Sequence, residues 1–492
     1  MGKPDQTFDV VIIGAGISGI NAAYRLQESC PDRSYTILDA RSDLGGTWDL
    51  FKYPGIRSDS DLHTFGFPFR PWMQKNAIAD GHLIVEYMRD TAEEYGIDKH
   101  IQYQHAVESA DFSTKRQRWT LNITHGEKPK TIRCQFLLFC TGYYDYHNPL
   151  DTKIPGISNF QGEVIHPQFW PENFDYANKN VVIIGSGATA VTLLPNLAKT
   201  ASHVTMLQRS PSWIAAMPQN DAISRFFRRI MPERWAVRAL RWRFLFLYFL
   251  SYTIFQRFPN LARNILRKRT AQLLPKDYPM DPNFNPSYNP WDQRLCMSPD
   301  GDFFAAIRDG SSDIVTGTIT NITDSEIKVD QKGEELTLKP DVIITATGLK
   351  LQVAGGCKIS IDGTPTTPAS KFVYRHAMLQ DIPNAVVFIG YVQYSWTLGS
   401  DVSARWACRL INHMARNGYE SATPAVQGSM KEQPLLSLKS TYIQKGGSVL
   451  PLAGTREPWQ PRKSYMHDLW EATRSDFREL EFRSAEGGYK DE

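Results

Sequence analysis

VVIIGAGISG, residues 10–19, is an apolar run followed by three closely spaced glycines. VVIIGSGATA, residues 181–190, repeats the pattern with an alanine in place of the third glycine. Each stretch predicts a buried strand, a tight turn and a helix N-terminus, whose backbone N–H groups and dipole attract a pyrophosphate. The predicted phosphate-binding residues are Gly14, Gly16, Gly19, Gly185, Gly187, Ala188, Thr189 and Ala190. Two such motifs favour an α/β fold with two Rossmann-like dinucleotide-binding domains, the alternative being one true site and one decayed duplicate.

The residue after the next strand of each unit distinguishes the two nucleotides. In the first unit the run 35–38 ends in Asp39, and a carboxylate there accepts hydrogen bonds from both hydroxyls of an unmodified ribose. In the second, the run 204–207 is followed by Gln208 and Arg209. A guanidinium pairs with a 2′-phosphate, which an acid would repel. The first unit is therefore predicted to bind FAD and the second NADPH.

The length of 492 residues predicts two or three domains. Two similar runs, residues 136–142 and 341–348, each place an apolar strand before Thr-Gly, and we expect the chain to pass between the nucleotide units there. The predicted parts are residues 1–150 (FAD domain, first part), 151–345 (NADPH domain, with a helical insertion at about 218–300) and 346–492 (completion of the FAD domain and C-terminal tail). The polar tail after Glu481 is expected to be frayed.

Six scattered cysteines bear on the chemistry and the compartment. None belongs to a CxxC pair, which argues against a flavoprotein disulfide reductase because that chemistry needs a vicinal dithiol. Zinc-like spacing is also missing, so we predict no metal site and free thiols in a reducing compartment. The polar N-terminus, followed by an apolar run of strand length, does not resemble a signal peptide, and a cytoplasmic protein is expected.

Residues 225–269 carry twelve Arg and Lys side chains and one acid, Glu233, although the net charge of the whole chain is only +3. Within them, residues 244–255 are uncharged and rich in aromatic side chains. This run is too short to cross a bilayer as a helix, which needs about twenty residues. It could lie on an anionic membrane surface, roof an apolar pocket, or form a buried insertion with a solvated basic flank. Nucleic-acid binding is not expected, because the segment matches no nucleic-acid motif.

A twelve-residue stretch between the two units carries a resemblance. FQGEVIHPQFWP, residues 160–171, fits FxGxxxHxxxWP, and the chain resembles class B flavin monooxygenases of the Baeyer–Villiger type. Further matches lie at residues 45–48, 53–61, 290–295, 341–348 and 394–398, so the resemblance covers most of the chain up to about 405. Within this family the chain most resembles the ethionamide-activating monooxygenases of mycobacteria. Animal-type flavin monooxygenases are the second-best match.

The resemblance implies a mechanism and several site residues. In this family NADPH reduces FAD, and the reduced flavin adds O₂ to form a C4a-peroxyflavin that transfers one oxygen atom to an organic substrate. Arg294 matches the family's active-site arginine, whose guanidinium stays protonated and stabilises anionic oxygen. Asp59 matches the acid that holds this arginine in place. Arg57 and Ser58 are expected near the nicotinamide.

Other interpretations of these residues stay open. The residues around Arg294 alone would favour a structural ion pair in a loop. Gly46, Thr47 and Trp48, which the resemblance packs against the flavin, would alone be read as a plain turn. An unperturbed histidine side chain has a pKa near 6.5, which would suit His166 to a role as general base. Because it lies in the motif between the units, we expect a structural or gating role instead.

The resulting prediction is an FAD- and NADPH-dependent monooxygenase acting on an apolar small molecule with O₂, in a role such as natural-product tailoring. The reaction would be Baeyer–Villiger oxidation of a ketone or oxidation of a heteroatom. Three alternatives remain: an NADPH oxidase or reductase, an enzyme limited to N- or S-oxygenation or epoxidation, and a catalytically inactive flavoprotein that binds a partner. Peripheral membrane contact through residues 225–269 and the oligomeric state are open.

Overall fold

The computed structural model describes residues 6–126, 128–391, 393–436, 443 and 446–484. Two large sheets contain the two glycine turns, one in each. Each turn follows a strand whose apolar side chains are buried, Gln6–Ile13 in the first sheet and Asn180–Ile184 in the second. Each turn then leads into a helix, Ile17–Ser29 or Ala188–Leu197. The predicted strand, turn and helix are thus present twice.

The first sheet is built from both ends of the chain. Strand Gln6–Ile13 pairs in parallel with Tyr35–Leu38 on one side and Lys128–Phe139 on the other. From edge to edge the order is Thr364–Thr366, Lys358–Ile361, His105–Ser113, Arg118–His125, Lys128–Phe139, Gln6–Ile13, Tyr35–Leu38 and Ile101–Gln102, with Ala385–Val387, Met378–Leu379 and Val373–Tyr374 attached through Lys128–Phe139. The chain after residue 346 therefore returns to this sheet, while the domain boundaries themselves stay a prediction.

The second sheet has five parallel strands in the order Ser312–Thr316, His203–Gln208, Asn180–Ile184, Val342–Thr345 and Glu163–Ile165. Its edge strand Glu163–Ile165 comes from the motif that the sequence places in a connection between the units. The backbone of this strand pairs with Val342–Thr345, and the Ile165 side chain is buried. The motif is thus joined to the second unit by a ladder of backbone hydrogen bonds.

The smaller sheets are Thr318–Ile322 with Ile327–Gln331 and Glu334–Leu338, Ile214–Met217 with Cys296–Pro299, Tyr419–Pro424 with Leu480–Ser484, and Glu432–Pro434 with Leu452–Gly454. The remaining α-helices are Thr47–Leu50, Leu62–Phe65, Gly81–Glu94, Ala222–Ile230, Glu233–Arg257, Pro259–Leu273, Asp302–Arg308, Trp396–Asn417 and Tyr465–Arg474. The prediction of a frayed tail is wrong for residues 482–484, because they pair with another strand; residues 485–492 lie outside the described part of the chain.

The insertion consists mainly of three consecutive helices, Ala222–Ile230, Glu233–Arg257 and Pro259–Leu273. Asp221 caps the first by accepting hydrogen bonds from two backbone N–H groups, and Pro259 begins the third, where its missing N–H costs nothing. Arg241, on the middle helix, is buried and donates to the carbonyl oxygens of residues 63 and 66 at 2.8 Å each. The insertion is therefore anchored to the first unit.

Two observations bear on the sequence predictions about thiols and membranes. All six cysteines are buried and free. Among the described residues, no helix combines the length and the apolar character needed to cross a membrane.

Candidate functional site

The two glycine turns share a constraint at their first glycine. Gly14 and Gly185 have φ angles of +104° and +140°, a region that L side chains rarely adopt. A Cβ atom at Gly14 would lie 2.6 Å from the carbonyl oxygen of Cys140, and one at Gly185 would lie 2.2 Å from that of Ala346. Each turn thus packs directly against the backbone that follows the last strand of its unit, at Cys140 in the first and Ala346 in the second.

The turns differ at their third position. A Cβ atom at Gly19 would lie 1.9 Å from the carbonyl oxygen of Gly14, so glycine is required there. In the second turn the equivalent residue is Ala190, whose methyl group is buried without such a clash. Gly187 is also less confined, because no heavy atom lies within 4 Å of the position of its Cβ. At its second and third positions, the first turn is therefore the tighter of the two.

The ends of the second strands also differ. Asp39 is buried, and its carboxylate accepts hydrogen bonds from the backbone N–H groups of Ala15 at 2.6 Å and Arg41 at 2.8 Å. Burial raises the pKa of Asp39 in spite of these two hydrogen bonds. In the second unit the Gln208 side chain is buried and Arg209 is exposed. The Gln208 amide donates to the carbonyl oxygen of Asn283 and to Thr316 Oγ1, 2.9 Å each, so it points into the protein.

A cavity of about 540 Å³ extends from the first turn towards the second. Its volume falls in the range of about 300–1,000 Å³ that is typical of small-molecule sites. The predicted site residues that line it are Gly14, Gly16, Asp39, Gly46, Thr47, Trp48, Arg57, Asp59, Ala188, Thr189 and Arg294. The predicted residues that do not line it are Gly19, Ser58, Gly185, Gly187, Ala190, Gln208 and Arg209. One space therefore connects the first turn, the edge of the second and the predicted catalytic residues.

The cavity wall along the first turn fits a dinucleotide. Helix Ile17–Ser29 begins at Gly16 without a side-chain cap, which leaves its first N–H groups for a ligand. Gly46 packs directly against this turn, because a Cβ atom on Gly46 would come within 3.3 Å of Gly16 Cα. Because neither glycine has a side chain, the backbone that they present to the cavity is open to a pyrophosphate, and Asp39 lines the same cavity where a ribose would follow. These residues suit FAD.

Asp59 and Arg294, which are 235 residues apart in the chain, form an ion pair in the wall of this cavity. Arg294 Nε lies 2.8 Å from Asp59 Oδ2, and Nη2 lies 2.9 Å from Oδ1. Two parallel hydrogen bonds fix the plane of the guanidinium. The side chains remain 28% and 39% exposed, so the pair still faces the cavity. The structure thus brings together the two residues that the resemblance assigns to catalysis.

A second ion pair lies close to the first in sequence, two residues before Asp59 and eight after Arg294, and here the residue near Asp59 is the cation. Arg57 pairs with Asp302, the first residue of helix Asp302–Arg308, and Arg57 Nη2 lies 3.3 Å from Asp302 Oδ1. Ser58, between the two pairs, is buried, and its backbone N–H donates to the Ala79 carbonyl oxygen at 2.9 Å. Arg57 therefore faces the cavity, whereas Ser58 fastens the segment to the first unit.

Sequence comparison places these features in a known family. Residues 8–224 match the flavin-binding monooxygenase-like family. The FAD-containing monooxygenase EthA of Mycobacterium tuberculosis is 45% identical over 466 residues, which cover 94% of this chain and 95% of that protein. The chain belongs to the flavin-binding monooxygenase family. This membership confirms the family predicted from the motifs and the prediction of a flavin-dependent monooxygenase.

Solved structures show the same fold at low sequence identity. An oxidised steroid monooxygenase bound to NADP has a TM-score of 0.74 at 17% identity and covers 97% of this chain and 100% of that one. The polycyclic ketone monooxygenase of Thermothelomyces thermophila has a TM-score of 0.75 at 17% identity, covering 99% of this chain and 91% of that one. These similarities confirm the predicted α/β fold class.

The cavity of this flavin-binding monooxygenase also has aromatic walls that the sequence prediction missed. Tyr143 stacks on Trp396 with ring centroids 4.9 Å apart, and the Trp396 indole donates to Ser18 Oγ on the first helix. Tyr146 lies 3.1 Å from Thr47 through their hydroxyl oxygens. The two tyrosines follow the strand that ends before Thr-Gly, and the carboxyl end of a parallel strand is where such side chains could have been sought.

His166 does not line the cavity. Its Nδ1 accepts a hydrogen bond from the backbone N–H of Gln168, and burial lowers its pKa. The Gln168 side chain is buried and donates to the Asp145 carbonyl oxygen at 2.7 Å, on the segment that leaves the first unit. These contacts join the motif to the connection between units, and the structural or gating role of His166 stays a prediction.

A buried charged cluster lies behind the cavity, where Tyr391 links it to the wall. The Tyr391 hydroxyl donates to Asp468 at 2.6 Å, and burial raises the pKa of Tyr391 far above its usual value. His376, Asp468 and Glu471 offer ligand atoms within 4.8 Å of one another. Glu471 also pairs with Arg375 at 2.5 Å. Since these carboxylates already have cationic and hydroxyl partners, we interpret the cluster as the anchor of the C-terminal segment.

Proposed function

We propose that this protein is an FAD- and NADPH-dependent monooxygenase that inserts one oxygen atom into an apolar ketone, a Baeyer–Villiger oxidation. The observation that carries the proposal is the two-point ion pair of Asp59 and Arg294 in the wall of a cavity that the first glycine turn lines and that Ala188 and Thr189 of the second unit reach. The printed names of the similar proteins support it, since they describe an FAD-containing monooxygenase, a steroid monooxygenase bound to NADP and a polycyclic ketone monooxygenase.

The first unit would hold FAD along the cavity. The backbone of Gly14 and Gly16 and the N-terminus of the first helix would receive the pyrophosphate, beside Gly46, which packs against Gly16. The free lone pairs of Asp39 would accept hydrogen bonds from the ribose hydroxyls. Thr47 and Trp48, which line the cavity beyond Gly46, would pack against the ring system.

The second unit would hold NADPH at the N-terminus of helix Ala188–Leu197, which also begins without a side-chain cap. Ala188 and Thr189 reach the shared cavity, so a nicotinamide bound there would approach the flavin. Because Gln208 points inward and Arg209 is exposed, the guanidinium of Arg209 would be the group that meets the 2′-phosphate. The Arg57–Asp302 pair would hold the two units together beside the nicotinamide.

When bound and reduced by NADPH, FAD would activate O₂ for transfer of one oxygen atom to the substrate. Arg294 would stabilise the negative charge that develops on the substrate's carbonyl oxygen, since its guanidinium stays protonated at any working pH. Asp59 would keep the plane of that guanidinium aimed at the cavity. The stacked rings of Tyr143 and Trp396 would exclude water and favour an apolar substrate.

The test measures products and NADPH consumption with a panel of open-chain ketones and thioethers. We expect an ester from at least one ketone, with NADPH use matched to product. Sulfoxide without ester would support an enzyme limited to heteroatom oxygenation, and H₂O₂ formed in amounts equal to NADPH would support an oxidase. A purified protein that binds no FAD would favour the catalytically inactive alternative.

A further inference from the structure

The middle helix of the insertion, Glu233–Arg257, exposes large apolar side chains along one face. Trp235 is 62% exposed, Trp242 58%, Phe246 62% and Phe249 50%. Their spacings of seven, four and three residues bring them onto one side of an α-helix. Single exposed apolar residues are common on soluble proteins, but a cluster of large aromatic side chains marks an interaction surface. We call these four residues the aromatic face.

The neighbouring helices continue this exposure. On Ala222–Ile230, Ile223, Phe226 and Ile230 are each at least half exposed, and they again lie three and four residues apart. Further exposed side chains are Met231, Leu247, Leu250, Phe258 and Leu261. The surface is therefore not confined to one helix.

The opposite side of the middle helix fixes the direction of the aromatic face. Ala236, Leu240 and Phe244 are buried there. On the same buried side, Arg241 donates to two backbone carbonyl oxygens of the first unit. Tyr248 packs against Trp291, three residues before Arg294. The helix cannot rotate its aromatic face inward without losing these contacts.

The basic residues of the insertion fall into two groups. Five turn towards the protein. Arg228, Arg243 and Arg267 contact the Met73 carbonyl oxygen, Asp221 and Asp281. Arg241 and Arg263 donate to backbone carbonyl oxygens. The exposed group consists of Arg225, Arg229, Arg234, Arg238, Arg257, Lys268 and Arg269. Arg238 borders the aromatic face, with its guanidinium 5.7 Å from the centre of the Trp235 ring. Exposed apolar side chains are thus flanked by exposed charges that are all basic apart from Glu233.

We propose that the aromatic face and its flanking arginines dock this protein onto an anionic lipid surface, with helix Glu233–Arg257 lying in the plane of the interface. Aromatic rings enter the boundary between headgroups and acyl chains, and basic side chains meet the anionic headgroups. A second copy of the chain fits this surface less well. A symmetric dimer would set the same arginine-rich patch against itself, and Glu233 is the one acid between residues 225 and 269.

The experiment is flotation of the FAD-loaded protein with vesicles of phosphatidylcholine alone or mixed with phosphatidylglycerol. We expect binding to the anionic vesicles that weakens at high salt, and little binding to phosphatidylcholine alone. The double variant Trp242→Ser with Phe246→Ser should reduce the partition coefficient roughly tenfold or more. The matched control Val164→Ser changes an exposed apolar residue on the edge of the second sheet and should bind normally.

A second variant tests the charges without touching the apolar surface. Arg234→Glu with Arg238→Glu should weaken binding about tenfold or more, whereas Lys99→Glu with Arg116→Glu, two exposed cations outside the insertion, should change it far less. The proposal is overturned if wild type does not float with anionic vesicles, or if the insertion variants bind as well as their controls. It is also overturned if wild type forms a dimer that Trp242→Ser with Phe246→Ser dissociates, without binding vesicles. Flotation measures binding alone, so failure here would leave the proposed oxygenation intact.

Discussion

The two glycine turns begin from nearly the same sequence, yet they build different sites. The first is so tight that Gly19 meets the carbonyl of Gly14, and it lines much of the cavity. The second accepts Ala190, and only Ala188 and Thr189 of its predicted residues reach the cavity. The first turn therefore suits a resident cofactor held along its whole length. The looser second turn suits a nucleotide that binds, transfers hydride and leaves.

The substitution Gly19→Ala tests the difference between the two turns most severely. The new methyl group would overlap the Gly14 carbonyl oxygen at 1.9 Å, so the turn would have to open. We expect the purified variant to carry less than about a tenth of the wild-type FAD, a loss of roughly 1.4 kcal/mol or more in binding free energy. The flavin absorbance per protein measures this.

Ala190→Gly is the matched control in the second turn. It removes a methyl group and adds backbone freedom, which costs about 0.5–1 kcal/mol of stability in a helix. FAD content should stay at the wild-type level. A Gly19→Ala protein that is fully loaded with FAD would show that the two turns do not differ in tightness as described.

Arg294→Ala tests the role of the ion pair in the cavity wall. Reduction of FAD by NADPH should continue at nearly the wild-type rate, because Arg294 belongs to neither glycine turn. Product formation should fall by about 10²–10³, the usual effect of removing one donor to a developing oxyanion. Stopped-flow reduction and product assays separate the two steps.

Arg294→Lys keeps the charge but loses the two-point geometry, so it should recover only part of the activity. If Arg294→Ala also abolishes flavin reduction, the proposed division of roles is wrong.

A milder change sharpens the assignment of nucleotides. Arg209→Asp replaces the proposed partner of the 2′-phosphate with a group that repels it. We expect kcat/KM for NADPH to fall about 10–100-fold, the equivalent of one charge-assisted hydrogen bond, while that for NADH stays level or rises. An unchanged preference would show that another residue reads the phosphate.

The smallest expected effect concerns Asp61, two residues after Asp59 of the ion pair. Asp61 is buried, and burial raises its pKa to about 6 although Thr64 donates two hydrogen bonds to it. The folded state holds this proton more tightly than the unfolded chain, so Asp61 lowers stability as the pH rises from about 4 through 6. Asp61→Asn removes the effect. Its stability advantage over wild type should grow by about 2 kcal/mol between pH 4.5 and 7.5 in urea unfolding; no growth would contradict the shifted pKa.

Local sequence predicted the features that depend on short stretches of chain. An apolar run followed by spaced glycines is enough to define a strand, a turn and a helix, so both units were predictable. Asp59 and Arg294 were paired only through the family resemblance, because no local rule connects residues 235 positions apart.

Other features depend on distant partners and were missed for that reason. Strand Leu480–Ser484 reads as a polar tail until Tyr419–Pro424 supplies its hydrogen bonds. Glu163–Ile165 reads as a connection until Val342–Thr345 lies beside it. The hydrogen bonds of the Gln208 amide to the Asn283 carbonyl oxygen and Thr316 also come from distant residues, while the assignment of Gln208 and Arg209 to the nucleotide stays a prediction.

One measurement tests most directly the claim that the two turns bring FAD and NADPH together at Asp59 and Arg294. The FAD-loaded protein is reduced with one equivalent of NADPH without oxygen, then mixed with ¹⁸O₂ and an apolar ketone. We expect close to one labelled ester molecule per flavin, and almost no product from Arg294→Ala. Complete reoxidation to H₂O₂, with no labelled product from any ketone or thioether, would contradict the claim.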